Sequence, residues 1–256
     1  MQDAAGGGVR AVQNALALLE TLATAQPVGV SELARLVQQP KSSVQRTLRT
    51  LELAGWAETS GEGVVHWRLT RKVFRIGVSG ATSSPFPRSA ETQMTALRDR
   101  YGETVHLGIP DGDHLLVIAR IDGTNNLRTF LQLGTRAPLV STAGGRAMLA
   151  GMRGEVLEKV LADPVTGHTP RTLRDPQQIR QQVGLARERG YATNEAEWRD
   201  AIAAVGAAIV GPDGQVIGSI SLSMPAPRFH ELDIPSVGAD VAAVCREIAE
   251  AVHRHL

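Results

Sequence analysis

Between Lys41 and Arg49 the chain sets out ammonium, hydroxyl, amide and guanidinium groups at helical spacing: Lys41, Ser42, Ser43, Gln45, Arg46 and Arg49, with no acid before Glu52. A duplex can use all of these. An α-helix fits the major groove of B-DNA, and residues near its N-terminus reach base edges. Glutamine pairs with adenine, arginine with guanine, and hydroxyl or cationic groups hold phosphate. Arg68, with Arg71 and Lys72 just behind it, adds a second basic point for the backbone or an adjacent minor groove. The same spacing also describes an ordinary solvated amphipathic helix, so the surrounding elements decide.

Those elements read as three helices and a hairpin. Val9 to Ala25 carries Val12, Leu16, Leu19 and Leu22 at helical spacing, stopped by Gln26-Pro27-Val28-Gly29. Ser31 can cap a second helix over 32–37, with Leu33, Leu36 and Val37 inward. Gln38-Gln39-Pro40 is a break, and Pro40 suits the first position of the next helix. In the helix from Lys41 to Leu53, Val44, Leu48 and Leu51 face the core, and Gly55 closes it. Trp56 to Thr59 and Val65 to Thr70 form strands around Ser60-Gly61-Glu62-Gly63. The whole is a winged helix-turn-helix plan over 9–70, after a disordered tail at 1–8.

Residues 71–87 read as a linker, with a helix over Arg71 to Val78 and a flexible run from Ser79 to Pro87. The second domain, 88–256, mixes types. A helix runs from Arg88 to Arg100, and strands at 104–109 and 115–120 flank the turn Pro110-Asp111-Gly112-Asp113. A further strand is expected over Leu127 to Leu133, and helices over 145–150, 155–161 and 176–189, the last closed by Gly190. Strands at 201–210 and 215–223 flank Gly211-Pro212-Asp213-Gly214, and Val237 to Leu256 is a C-terminal helix. Strands and helices do not alternate strictly, so the class is α+β with an antiparallel sheet.

Several chemistries are set aside. Gly77-Val78-Ser79-Gly80-Ala81 fails the nucleophile-elbow pattern at its last position. There is no His-Glu-x-x-His and no phosphate loop ending in Gly-Lys-Ser/Thr. The seven histidines are scattered; His253 and His255 are poorly spaced for a metal, and His106 and His114 lack a third ligand. Asp111-Gly112-Asp113 is a turn and no calcium loop. The single Cys245 reads as helix packing. No catalytic residue, metal site or cofactor is therefore expected.

Composition agrees. The 256 residues suffice for two domains, and 43% hydrophobic residues supply a core in each. No apolar run is long enough for a membrane span, and Met1 to Gly8 lacks the basic and apolar regions of a secretory signal. One cysteine fits a reducing cytoplasm. Nine basic residues stand against six acidic ones over 1–85, leaving eighteen against twenty for the rest. A positive head on a slightly negative body suits a module that faces nucleic acid.

Val30-Ser31-Glu32-Leu33-Ala34-Arg35 followed by Pro40-Lys41-Ser42-Ser43-Val44-Gln45-Arg46-Thr47-Leu48 resembles the IclR family of bacterial transcription regulators. Tyr101-Gly102-Glu103-Thr104-Val105-His106-Leu107 is similar to that family's entry into its effector domain. Ser141-Thr142-Ala143-Gly144-Gly145-Arg146-Ala147-Met148-Leu149-Ala150 resembles its "TAxGKAxLA" motif. Arg189-Gly190-Tyr191-Ala192 and the Ser219 to Ser223 strand also match, so the likeness covers roughly 9–250. It implies a GAF-like effector domain with a curved antiparallel sheet and one pocket for a small organic anion. Carried over, that pocket takes in Ala143, Gly144 and Gly145, Glu195 or Glu197, Ala208, Ser221 and Ser223. Gly144-Gly145 would open a helix whose free N–H groups hold a carboxylate. Ser221 and Ser223 lie two apart on a strand and share a face. Leu131, Leu133 and Met148 could supply apolar wall.

The chain departs from the pattern at Arg146, where the family has Lys, and at Pro85 and Pro87, which argue against a long connecting helix. The expected partners are a double-stranded DNA operator, a small-molecule effector and further copies of the chain as a dimer or tetramer, with no membrane. Whether transcription rises or falls on binding is left open, as is the effector's identity. An enzyme with an appended winged-helix module and a winged-helix protein-interaction module are the alternative readings.

Overall fold

The computed structural model of the chain describes residues 9–61, 64–81 and 86–254. The expected tail 1–8, the turn residues Glu62 and Gly63, Pro85 and His255 lie outside the described residues. The chain divides into two compact units, Met1–Ser84 and Pro85–Leu256.

The first unit runs α1 (Arg10–Ala25), β1 (Val28–Gly29), α2 (Val30–Leu36), α3 (Lys41–Leu53), β2 (Ala57–Ser60), β3 (His66–Leu69) and α4 (Arg71–Ala81). Leu18, Leu22, Leu33, Val44, Leu48, Leu51 and Trp67 form its core. On α1 the buried stripe is Leu18 and Leu22, while Val12 and Leu16 stay 55% and 53% exposed. The buried face is thus rotated by about a quarter turn from the expected stripe, with Leu22 common to both. α2 begins before Ser31, with Gly29 in the cap position and no side-chain cap bond. Pro40 takes the cap position of α3 rather than its first turn. Between these helices Gln38 adopts φ 52°, which makes the tight break.

Gly55 at φ 73° ends α3 and turns the chain into the hairpin, a conformation glycine adopts without strain. There Glu58 stands opposite Arg68 and β1 adds a third strand beside β3. Thr70 Oγ1 donates to Gly55 O at 2.6 Å and Lys72 Nζ to Ala54 O at 2.7 Å, tying the start of α4 to the end of α3. α4 continues through Ser79, Gly80 and Ala81, so much of the expected linker is helix. The Ser79 hydroxyl donates to Arg75 O at 2.9 Å, a bond back to the preceding turn that lets serine sit in a helix.

The second unit runs α5 (Phe86–Tyr101), β4 (Thr104–Asp111), β5 (His114–Ile121), β6 (Arg136–Pro138), α6 (Ala143–Gly151), α7 (Gly154–Val160), α8 (Pro176–Arg189), β7 (Ala192–Glu195), β8 (Ile202–Val210), β9 (Val216–Pro225), α9 (Ala226–Glu231) and α10 (Ile234–His253). The strands form one sheet in the order β6-β5-β4-β9-β8-β7, antiparallel throughout. Strand side chains alternate between faces. Val105, Leu107, Val205, Ala207, Ile209, Ile220, Leu222 and Met224 pack beneath α5 and α10. His106, Gly108, Ala204, Gly206, Ala208, Ser219, Ser221 and Ser223 occupy the other face, toward α6. A Cβ on Gly206 would lie 2.7 Å from Gly144 N, so the start of α6 rests almost on the backbone of β8.

The strand expected over Leu127 to Leu133 is instead irregular chain, and the edge strand is β6. The reason lies in where its backbone groups go. Leu131 N donates to His106 Nε2 at 2.9 Å and Leu131 O accepts from Arg120 at 3.1 Å, so side chains take the place of a ladder. α8 has Pro176 in its first turn, an Asp175 cap on Gln177 N and Gly190 at φ 82° after its end.

Candidate functional site

Two places in the molecule carry chemistry, and each belongs to one unit. On α3, Val44, Leu48 and Leu51 are buried, and that fixes which way the rest of the helix faces. Lys41, Ser42, Gln45, Arg46 and Arg49 are exposed and Ser43 half-buried. No described carboxylate pairs with Lys41, Arg46 or Arg49. By contrast Arg68 donates to Glu58 at 2.8 Å across the hairpin. Both partners are half exposed, so the pair is weak and a phosphate can compete for the guanidinium. Thr47 and Thr50 turn their hydroxyls back onto Ser43 O and Arg46 O, at 3.0 and 3.1 Å.

The second place is a cavity between the small-residue face of the sheet and the N-terminus of α6. Its volume is about 50 Å³, a few times the space one water needs. It is lined by His106 and Gly108 of β4, Leu115 and Val117 of β5, Leu131, Thr142-Ala143-Gly144, Asn194, Trp198, Arg199, Ile202, Ala204, Ser219, Ser221 and Ser223. Among the described residues no carboxylate lines it. The Thr142 hydroxyl accepts from Gly145 N at 3.2 Å and caps α6, whose positive end faces the cavity wall.

His106 is the buried titratable group of this cavity. Its Nε2 accepts the Leu131 N–H, so in the neutral ring the proton sits on Nδ1, and Nδ1 is buried with no hydrogen-bond partner. Burial pushes its pKa down to about 3, and the nearby Arg120 and Arg199 charges push the same way. It is thus a neutral donor at physiological pH. A buried unmet donor costs stability unless something accepts from it.

Two irregular segments close the cavity, and both are tethered. The 122–135 segment is held by Gly123 N to Thr104 Oγ1 at 3.1 Å, Asn125 to Glu103 at 3.0 Å and the two Leu131 bonds. Phe130 lies under the Arg120 guanidinium at 4.6 Å. The 196–201 segment starts and ends on alanines with positive φ, 55° at Ala196 and 59° at Ala201. Thr169 and Thr172 hydroxyls donate to Ala196 O and Glu197 O, both at 2.6 Å. Arg146, 1% exposed in the middle of α6, binds Glu197 with both terminal nitrogens and also reaches Thr193 O and Val140 O. That pair fastens the segment bearing Trp198 and Arg199 to α6.

Of the residues expected here, Leu131, Ala143, Gly144, Ser221 and Ser223 line the cavity. Gly145 stands behind it: a Cβ there would meet Leu139 Cα at 2.4 Å, so the glycine allows a backbone contact. Met148 is buried in the core between α6 and α8, and Leu133 is exposed. Ala208 lies farther along β8, near Gly151. Glu197 faces Arg146, and Glu195 pairs with Arg171 and His230 on the surface. His106, Ser219, Thr142, Asn194, Trp198, Arg199 and Ile202 were not anticipated. For two of them the signal was there: His106 alternates with Val105 and Leu107, and Ser219 continues the Ser221–Ser223 stripe. Cys245 is buried, bonded to Ala207 O at 3.2 Å and pushed up to about 12 by burial, as befits a packing residue. Among the described residues no three His, Cys, Asp or Glu side chains gather as metal ligands, and no helix is long and apolar enough to cross a membrane.

Comparison with known proteins supplies the rest. The IclR helix-turn-helix domain matches residues 11–61, and the bacterial transcriptional regulator IclR C-terminal domain matches 81–250. The HTH-type transcriptional regulator KdgR of Dickeya chrysanthemi is 30% identical over 248 residues, 96% of this chain and 81% of that protein. The crystal structure of an IclR-type regulator from Silicibacter sp. TM1040 is 26% identical, covers 94% of this chain and 96% of its own, and superposes with a TM-score of 0.78. An IclR homologue of Microbacterium hydrocarbonoxydans, solved with 4-hydroxybenzoate, shares the fold at a TM-score of 0.82 and 20% identity over 95% of this chain and 99% of its own. The helix-turn-helix match, the C-terminal-domain match and the 30% identity to a full-length relative show that the chain belongs to the IclR family of bacterial transcriptional regulators.

Proposed function

We propose that the chain is a cytoplasmic, effector-switched regulator that reads its operator with α3 and senses a small organic acid in the α6 cavity. The observation that carries the sensing half is the cavity lining: a helix N-terminus, hydroxyls of Ser219, Ser221 and Ser223, the Arg199 cation and the unmet His106 N–H, with no acid among them. Such a set favours an anion with acceptor oxygens. The 4-hydroxybenzoate bound to the Microbacterium homologue is an acid of this kind.

On the DNA side, Lys41, Ser42 and Ser43 hold phosphate at the start of α3, Gln45, Arg46 and Arg49 reach base edges or phosphate, and Arg68 exchanges Glu58 for the backbone. Val12 and Leu16 on α1, and Phe74 and Ile76 on α4, are exposed apolar residues of the same unit. They support a homodimer, and a dimer suits a two-fold operator. Effector binding then biases the spacing of two reading heads.

The same reading makes the chain a sensor without turnover. Ser221 stands directly opposite His106 across β4 and β9, a pair that elsewhere could be nucleophile and base. Here Nε2 is occupied by Leu131 N and the ring is far too acidic to take a proton.

Fluorescence anisotropy with labelled DNA from upstream of the chain's own gene tests the proposal. Binding should weaken or strengthen when benzoate or a short carboxylate is added, and Arg46→Ala with Arg49→Ala should cost at least tenfold in DNA affinity. DNA binding that ignores both changes would sink it.

A further inference from the structure

The geometry points to a second anion subsite at the mouth of the effector cavity, so that the ligand is a dianionic organic acid. This rests on reading the cavity as the effector site. The cavity's 50 Å³ holds a carboxylate and a short stem. Beside it lies an open cleft of about 530 Å³ lined by Arg128, Thr129, Phe130, Gln132, Thr135, Arg199 and Ile202. Arg199 and Ile202 border both spaces, so a ligand longer than a headgroup leaves the cavity along them.

The cleft is built for negative charge. Arg128 comes from the 122–135 segment and Arg199 from the 196–201 segment, so each closing segment contributes an arginine to the lining. No described carboxylate pairs with either, and no acid lines the cleft. Six other arginines of this unit are held by carboxylates: Arg120 by Asp122, Arg136 by Asp111, Arg146 by Glu197, Arg171 by Glu195, Arg180 by Glu158 and Arg228 by Glu103. A second observation lies in the same wall. Thr129 Oγ1 is buried and makes no hydrogen bond. The inner cavity has its own orphan, His106 Nδ1. Unmet polar groups on residues lining two adjoining spaces are what a ligand with two polar ends would satisfy. Inside, one carboxylate accepts from the α6 amides, the serine hydroxyls and His106 Nδ1–H. At the mouth, the second accepts from Arg128, Arg199 and the Thr129 hydroxyl. Guanidinium forks match carboxylate geometry.

Matched pairs of acids test the assignment by isothermal titration calorimetry on the full chain: butyrate against succinate, valerate against glutarate, hexanoate against adipate, benzoate against terephthalate. Exposed charge contacts are worth a few-fold each, so two give about tenfold. At least one diacid should bind about tenfold tighter than its twin, and the gain should shrink at high salt. Arg128→Glu should cut that preference below about twofold while leaving the monoacid's affinity unchanged, and Arg128→Lys should keep most of it. Monoacids that bind with no diacid gaining, or a preference that survives Arg128→Glu, would overturn the second subsite alone. If none of the eight acids binds, the acid-sensing reading falls and the subsite with it.

Discussion

The strands β4, β8 and β9 present two faces made from alternate residues of the same segments, and the two could hardly differ more. Beneath α5 and α10 the core is built mainly of full-sized apolar side chains, Val105, Leu107, Val205, Ile209, Ile220, Leu222 and Met224, with Ala207 among them. Beneath α6 the residues are glycine, alanine, serine and one histidine. The first face supplies stability by burial. The second gives some of it up: glycines and alanines remove side-chain volume, α6 descends onto the backbone at Gly206, and the room left over is the cavity. A single strand thus divides its residues between holding the fold and making space for a ligand.

Substitutions that strike one face should leave the other's property intact. The largest loss is expected from Arg146→Ala, which strands the buried Glu197 carboxylate without its partner. Loss of one member of a buried pair costs about 3–5 kcal/mol. Urea unfolding reads the stability, and acid affinity should fall as Trp198 and Arg199 come loose; a loss under about 1 kcal/mol would mean the pair is effectively solvated. Leu107→Ala on the opposite face should cost about 2–5 kcal/mol by leaving a cavity under α10. Acid affinity measured where that variant is fully folded should stay put. If it collapses, the two faces are coupled and the division drawn above is wrong.

His106 gives the comparison a pH axis. Its folded pKa of about 3 lies below the ordinary value of 6.5, so between these values the unfolded chain binds the extra proton. Stability is therefore fully present above pH 6.5 and drains away as pH falls toward 3, by up to about 1.4 kcal/mol per pH unit. From pH 7 to pH 5 the loss is about 2 kcal/mol. His106→Gln should flatten that part of the profile; an unchanged slope would assign the acid sensitivity to other groups.

How legible this was in the sequence follows from the same geometry. The exposed face of α3 is one contiguous run, so its residue types and spacing announce it. α8 is equally local: Asp175, Pro176 and Gly190 mark its ends in order. The cavity is not local. His106, Thr142, Asn194, Trp198 and Ser219 come from five separate places, and only the sheet order, with β9 between β4 and β8, brings them together. Family likeness reached Ala143, Gly144, Ser221 and Ser223, but it also drew in Gly145, Glu197 and Ala208, which support neighbours rather than face the cavity. The 127–133 segment misled for a physical reason: its apolar residues look like a strand, yet its backbone is bonded by His106 and Arg120 side chains that no periodicity reveals.

The smallest effect expected on stability is also the sharpest for the comparison. Ser219 is 2% exposed and lines the cavity at the register position opposite Gly108. Removing its hydroxyl deletes one oxygen from a space already left open, so no new packing defect arises. Ser219→Ala should leave the free energy of unfolding in urea within about 0.5 kcal/mol of the parent. Affinity for a bound carboxylate should still fall several-fold, because a hydrogen bond to a charged acceptor is lost. The same deletion of a few atoms on the other face, Ile220→Val, should do the reverse, costing about 0.5–1.5 kcal/mol of stability with no change in binding. Adjacent residues on one strand would then report on separate properties. Equal effects of the two substitutions on both readouts would show instead that the sheet responds as a single layer.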